Sequence, residues 1–135
     1  TYMSKHISDT LYRVGHIMSS DEDQPIVMDL LVGFNFSDEL VVVIDLFDYE
    51  EPAYNCSTAA IVNTDDARIM ARRHNIAYSQ LPRFITECMA EWREIINPGL
   101  NNVRDCFKEI TECLLDEGCR FRIKRTHGPN DYICC

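Results

Sequence analysis

Ile26-Val27-Met28-Asp29-Leu30-Leu31-Val32-Gly33-Phe34-Asn35-Phe36-Ser37-Asp38-Glu39-Leu40-Val41-Val42-Val43-Ile44-Asp45-Leu46-Phe47 is the stretch whose reading decides the fold. It alternates with the period of two that a strand imposes, which predicts strands over Ile26–Phe36 and Glu39–Phe47 joined at Ser37-Asp38. Ile26, Met28, Leu30, Val32, Phe34 and Phe36 fall on one face, and Leu40, Val42, Ile44 and Leu46 supply a matching apolar surface. That face is expected to be core. The opposite face mixes Val27, Asp29, Leu31, Gly33 and Asn35 with Val41, Val43, Asp45 and Phe47, as in an antiparallel sheet covered on one side only.

A turn centred near Ser37 sets opposite each other positions whose numbers add to about 74, so Asp29 faces Asp45. Directly opposed side chains have Cβ atoms about 5 Å apart. Two carboxylates that close either raise one another's pKa, draw a cation between them, or need basic partners from another strand.

Ahead of the hairpin, Ser8 as N-cap and the spacing of Ile7, Leu11, Val14 and Ile17/Met18 predict a helix, ended by an acidic loop from Ser19 to Pro25. Behind it, Asp48-Tyr49-Glu50-Glu51-Pro52 leads to a third strand over Cys56–Val62. Asn63-Thr64-Asp65-Asp66 starts a short helix, with a capping hydroxyl and two carboxylates in its first turn, ending near Asn75.

The stretch from Ser79 to Ile96 is the most periodic in the chain. Its wide apolar stripe, with Phe84 and Trp92 expected to be largely buried, predicts the central core helix. Asn97-Pro98-Gly99 breaks it, a last helix runs from Asn101 to Glu117, and a strand over Cys119–Thr126 sets Arg120, Arg122 and Lys124 against Cys119, Phe121 and Ile123. The expected class is α+β: a mostly antiparallel sheet of about four strands, helices on one face, order α-β-β-β-α-α-α-β. A single domain over 1–135 is expected, with 127–135 a mobile tail.

Hydrophobic content of 46% with 26% charged residues excludes a disordered chain. Leu40-Val41-Val42-Val43-Ile44 is the longest aliphatic run, against about 20 residues for a membrane span. The N-terminus lacks the apolar core of a signal peptide, so no membrane association and a cytoplasmic location are expected. The seven cysteines form no CxxC pair, and no disulfide framework is expected. Cys88, Cys106 and Cys113 fall on apolar stripes as free thiols, and Cys134-Cys135 ends the chain.

Charge is segregated. From Val14 to Ala67, 54 positions hold 12 carboxylates and no lysine or arginine, so that segment carries −12 while the rest carries +3 (13 basic against 10 acidic residues), for a net −9. Such polarity favours basic or oppositely polarised partners. The basic row Arg120, Arg122 and Lys124 is expected on the face of Asp29 and Asp45, within salt-bridge reach. With Val41 and Val43 these five residues form the expected partner-binding sheet face.

Two other constellations carry chemistry. Asp29 and Asp45 could hold a divalent cation in a metal-dependent enzyme, but neither strand offers a histidine or an assignable third carboxylate. The segment 67–84 has the pattern of a helix-turn-helix, with Arg68, Arg72, Arg73 and Arg83 as contacts for a nucleic acid. His74 at a usually apolar place, Pro82 inside the second helix and the net charge all count against that use. Dinucleotide, P-loop, hydrolase-elbow and zinc-protease motifs are missing. The expected function is that of a small acidic protein-binding module with an adaptor, chaperone-like or inhibitor role and no catalytic activity. It is expected to work as a homodimer, with a basic protein as the partner its charge favours, and without cofactor or metal; a nucleic-acid-binding regulator is the alternative, the metal-dependent enzyme another.

Overall fold

The computed structural model describes residues 6–126. Five antiparallel strands lie side by side in chain order: β1 (Tyr12–Ser19), β2 (Ile26–Phe34), β3 (Leu40–Asp48), β4 (Cys56–Val62) and β5 (Phe121–Arg125). Between β4 and β5 the chain forms α1 (Thr64–Arg73), α2 (Leu81–Cys88) and α3 (Leu100–Asp116). The class is α+β, with one strand more than expected. Tail residues 127–135, Cys134 and Cys135 among them, lie outside the described residues.

The β2–β3 register pairs Asp29 with Asp45, Leu30 with Ile44 and Phe34 with Leu40. Met28, Leu30, Val32 and Phe34 with Leu40, Val42, Ile44 and Leu46 form the floor of the main core. The helices cover that floor with Ala67, Met70 and Ala71 of α1, Leu81 and Ile85 of α2, and Val103, Cys106, Ile110 and Leu114 of α3. Phe36 is a correction: it is 88% exposed. The turn begins earlier than the alternation implies, because Asn35 Oδ1 accepts from Ser37 N and Glu39 N, both at 3.0 Å, leaving Phe36 at the tip.

The expected N-terminal helix is also corrected. Ile7–Thr10 is a single 3₁₀ turn, and Tyr12–Ser19 is a strand. β1 carries two register irregularities, between Tyr12 and Gly15 and between His16 and Met18, and Arg13 has φ 53°. Each adds one residue against β2, so consecutive Ile17 and Met18 are both buried. Such slips convert a period of two into the three-and-four spacing of a helix. Gly15 is required where α2 crosses: a Cβ there would stand 2.5 Å from Thr86 Oγ1.

α1 starts as its sequence suggests, but the cap is the Asn63 side chain, which accepts from Asp66 N at 3.0 Å, rather than the Thr64 hydroxyl. Asn75 takes the left-handed turn at φ 62°, and Gly118 at φ 83° ends the α3 region. Pro82 falls in the first turn of α2, where its missing N–H costs nothing.

The stretch Ser79–Ile96 is not one helix. It divides into a 3₁₀ turn at Tyr78–Gln80, α2, and a 3₁₀ segment at Ala90–Glu94. Met89 leaves helical geometry at φ −100°, ψ 16°, with no glycine or proline to mark the break. Tertiary contacts hold the segment after it: Trp92 Nε1 donates to Glu109 Oε2 at 3.1 Å, and Arg93 Nη1 donates to His16 O at 3.3 Å. Trp92 and Phe84 are half-buried at the core margin, and α3 is the helix that lies over β2 and β3.

Cys106 is buried, and burial pushes its thiol up to about 12, whereas Cys88 and Cys113 are exposed. Cys88, Cys106 and Cys113 are free thiols as expected, whereas Cys56 is disulfide-bonded, against the expectation of no disulfide framework and a feature uncommon in the cytosol. Among the described residues no helix is long and apolar enough to cross a membrane.

Candidate partner-binding surfaces

The face of the sheet away from the helices holds the expected site. Val41 and Val43 are 1% and 0% exposed, and with Ala59 and Ile61 they form a second apolar cluster. Ile7, Leu11 and Leu31 pack on that cluster, so the chain's own N-terminal segment covers this part of the expected partner-binding face. Buried in this way, Val41 and Val43 offer no open surface on this face.

Asp45 is 1% exposed in the same layer. Its carboxylate accepts from Ser57 Oγ at 2.6 Å and from Ser8 Oγ, while Ile7 N donates to Ser57 Oγ at 2.9 Å. His6 is buried beside it, but its Nε2 donates to Leu46 O at 2.8 Å rather than reaching a serine hydroxyl. This is a latch, built from one carboxylate and two hydroxyls, that holds the N-terminal turn onto β3 and β4. Asp29 across the hairpin accepts from Ser19 Oγ at 2.5 Å and lies 3.9 Å from His16 Nε2.

The two carboxyls titrate apart. Burial raises the Asp45 pKa, and the serine hydrogen bonds offset this only in part. Burial also acts upward on Asp29, but hydrogen bonds from His16 and Ser19 outweigh it and hold the carboxyl below its usual range. Among the described residues no group of three or more His, Cys, Asp or Glu side chains is placed to hold a metal.

The basic row does not pair with these aspartates. Arg122 and Lys124 do lie on their face, opposite Ile61 and Ala59, but Arg122 Nη1 binds Glu39 at 3.0 Å and Arg120 Nε binds Asp66 at 2.9 Å. Glu39 and Asp66 are held below the usual carboxylate range by those arginines. Chain geometry explains the difference: in the sheet order β5 is three strands from Asp29 on β2 and two from Asp45 on β3, whereas Glu39 at the start of β3 and Asp66 in the first turn of α1 come within reach of its arginines.

The arginines of the helix pair are largely occupied. Arg68 stands 4.2 Å over the Tyr78 ring, Arg73 Nη1 binds Glu117 Oε1 at 2.7 Å, and Arg83 Nε binds Glu87 at 3.0 Å. Leu81 is buried in the main core with Ile76 and Phe84 packed against that core, and His74 lies against Phe84 while its Nε2 is 2.7 Å from Glu117 Oε2. Arg72 is exposed.

What sequence reasoning missed is the end of the sheet where the β1–β2 and β3–β4 loops meet. Tyr49 N donates to Pro25 O at 3.0 Å, which joins them. Glu22, Asp23, Glu50 and Glu51 are exposed there, and among the described residues none has an ion-pair partner. Asp48 Oδ1 organises its loop by accepting from Glu50 N and Glu51 N at 3.1 and 3.0 Å. Tyr49, 68% exposed, lies 6.2 Å from Phe47 with the rings 12° from parallel, and His6 backs Phe47 at 4.2 Å. An aromatic row therefore ends in an open ring amid uncompensated carboxylates. Both loops are visible in sequence as acidic; their adjacency is not. Comparison with protein-family models, curated proteins and solved structures finds no match.

Proposed function

We propose that the chain is a protein-binding module with no catalytic role of its own, taking a basic partner at this acidic end. The observation that carries the reading is Tyr49, an exposed ring stacked on Phe47 between two loops that contain no lysine or arginine. A cation arriving there gains the field of the carboxylates and a ring face, and tyrosine is among the residues enriched where binding energy concentrates. An adaptor, chaperone-like or inhibitor role fits such a surface.

Titration of the full chain with a lysine- and arginine-rich peptide tests it. Affinity should fall steeply with added salt. Tyr49→Ala should weaken binding about tenfold, and Glu50→Gln with Glu51→Gln should flatten the salt dependence. Absence of binding at low salt, or affinity indifferent to Tyr49, overturns the reading.

A further inference from the structure

β5 is an outer edge of the sheet, and the two edges differ. β1 is broken by its register slips and crossed by α2 at Gly15, which blunts it. On β5, Asn63 N donates to Arg120 O at 2.8 Å and Thr126 N donates to Ser57 O at 2.9 Å. Hydrogen-bonded pairs alternate along an antiparallel ladder, so the inward-bonding residues are Arg120, Arg122, Lys124 and Thr126. The N–H and C=O groups of Phe121 and Ile123 consequently face away from β4. Among the described residues no strand lies beyond them.

The side chains of this edge sort by face. Arg122 and Lys124 stand exposed on the face of Ile61 and Ala59. Phe121 and Ile123 stand on the helix face, Phe121 against the core and Ile123 41% exposed. The stretch between Glu117 and Asp131 holds four cations and no carboxylate. Glu39 fixes the Arg122 guanidinium, and Lys124 has no carboxylate partner among the described residues.

We propose that β5 accepts an extended acidic segment of a partner protein as a sixth, antiparallel strand, with carboxylates beside Arg122 and Lys124 and apolar side chains beside Phe121 and Ile123. The main chain of Phe121 and Ile123 supplies the pairing, and the two-sided chemistry of the strand supplies the register. A second copy of this chain fits poorly, because β5 set against β5 about Ile123 places Arg122 opposite Lys124. This surface is separate from the acidic end and does not depend on it.

The test uses the full chain and an extended peptide of alternating glutamate and valine. In the proposed pairing the valine N–H groups face β5 and the glutamate N–H groups face solvent. N-methylation of the valines should weaken binding at least about tenfold, while N-methylation of the glutamates should leave it within about threefold. Lys124→Glu should weaken binding about fivefold. Ile123→Pro removes an outward N–H without touching the β4 ladder, and should abolish binding with the circular-dichroism melt unchanged. If that variant misfolds, the methylated peptides on the unaltered chain decide. Equal losses from both methylation patterns overturn the proposal, as does equal binding of a peptide with the glutamates and valines in separate blocks. Failure of millimolar peptide to bind overturns it too, leaving the edge to the chain's own residues or to a second copy.

Discussion

Replacing Phe34 by alanine should cost about 3–5 kcal/mol of stability, the range for deleting a large buried aromatic side chain. Phe34 is 2% exposed at the end of β2, with the Tyr12 ring at 5.9 Å and the Tyr78 ring at 5.0 Å. Tyr78 opens the approach to α2, carries Arg68 on its face and donates to Asp38 O at 2.5 Å. The cavity would therefore open where the hairpin turn, the sheet and the helices meet, and the Tyr12 and Tyr78 rings would lose their packing together. Chemical denaturation should show a lower midpoint with an unchanged slope. Phe36→Ala is the control: the same residue type two positions on, 88% exposed, should change stability by no more than about 0.5 kcal/mol.

Ser57→Ala should cost about 1.5–3 kcal/mol, the range for hydrogen bonds to charged groups. The substitution removes a donor from the buried Asp45 carboxylate and the acceptor of Ile7 N. It should also loosen the N-terminal turn, read as faster amide exchange at Ile7. The latch has a pH signature of unusual sign. Burial raises the Asp45 pKa, so the folded chain holds a proton that the unfolded chain, titrating near 3.8, has already lost. This contribution is fully present below 3.8 and is lost as pH rises through the folded value. Asp29 and Asp66 behave oppositely: their pKa values are lowered, so their contribution is lost as pH falls below 3.8. Asp45→Asn keeps a group able to engage both serines and removes the buried charge. Its melting temperature relative to the parent chain should therefore climb with pH across the Asp45 window and level off above it. A difference flat in pH would refute this account.

The hairpin was legible because alternation survives over nine consecutive residues on each side, and the turn position alone then set Asp29 against Asp45. Where an irregularity intervenes, the period misleads. Two slips in β1 gave Leu11, Val14 and Ile17/Met18 a helical spacing, and Asn35 took the turn one residue before Phe36. The helix after Ser79 was overextended because its break at Met89 is imposed by contacts of Trp92 and Arg93 with distant residues. The counter-groups of Asp45 were unreadable for a related reason. A serine at position 8 or 57 looks like any turn or strand residue, and only the folded chain brings both hydroxyls to one carboxylate. Charge segregation was plain in the sequence, but which carboxylates remain unpaired depended on which strands and loops became neighbours.

The placement of the helices between β4 and β5 bears on the order of folding. Strands β1 to β4 follow one another through short connections, so each can zip onto its predecessor at small entropic cost. β5 meets β4 only after the entire segment from Thr64 to Asp116 has been brought round, the longest connection between paired strands among the described residues. It is the strand expected to dock last and to open first in excursions short of global unfolding, so its amides should exchange ahead of those of β2 and β3.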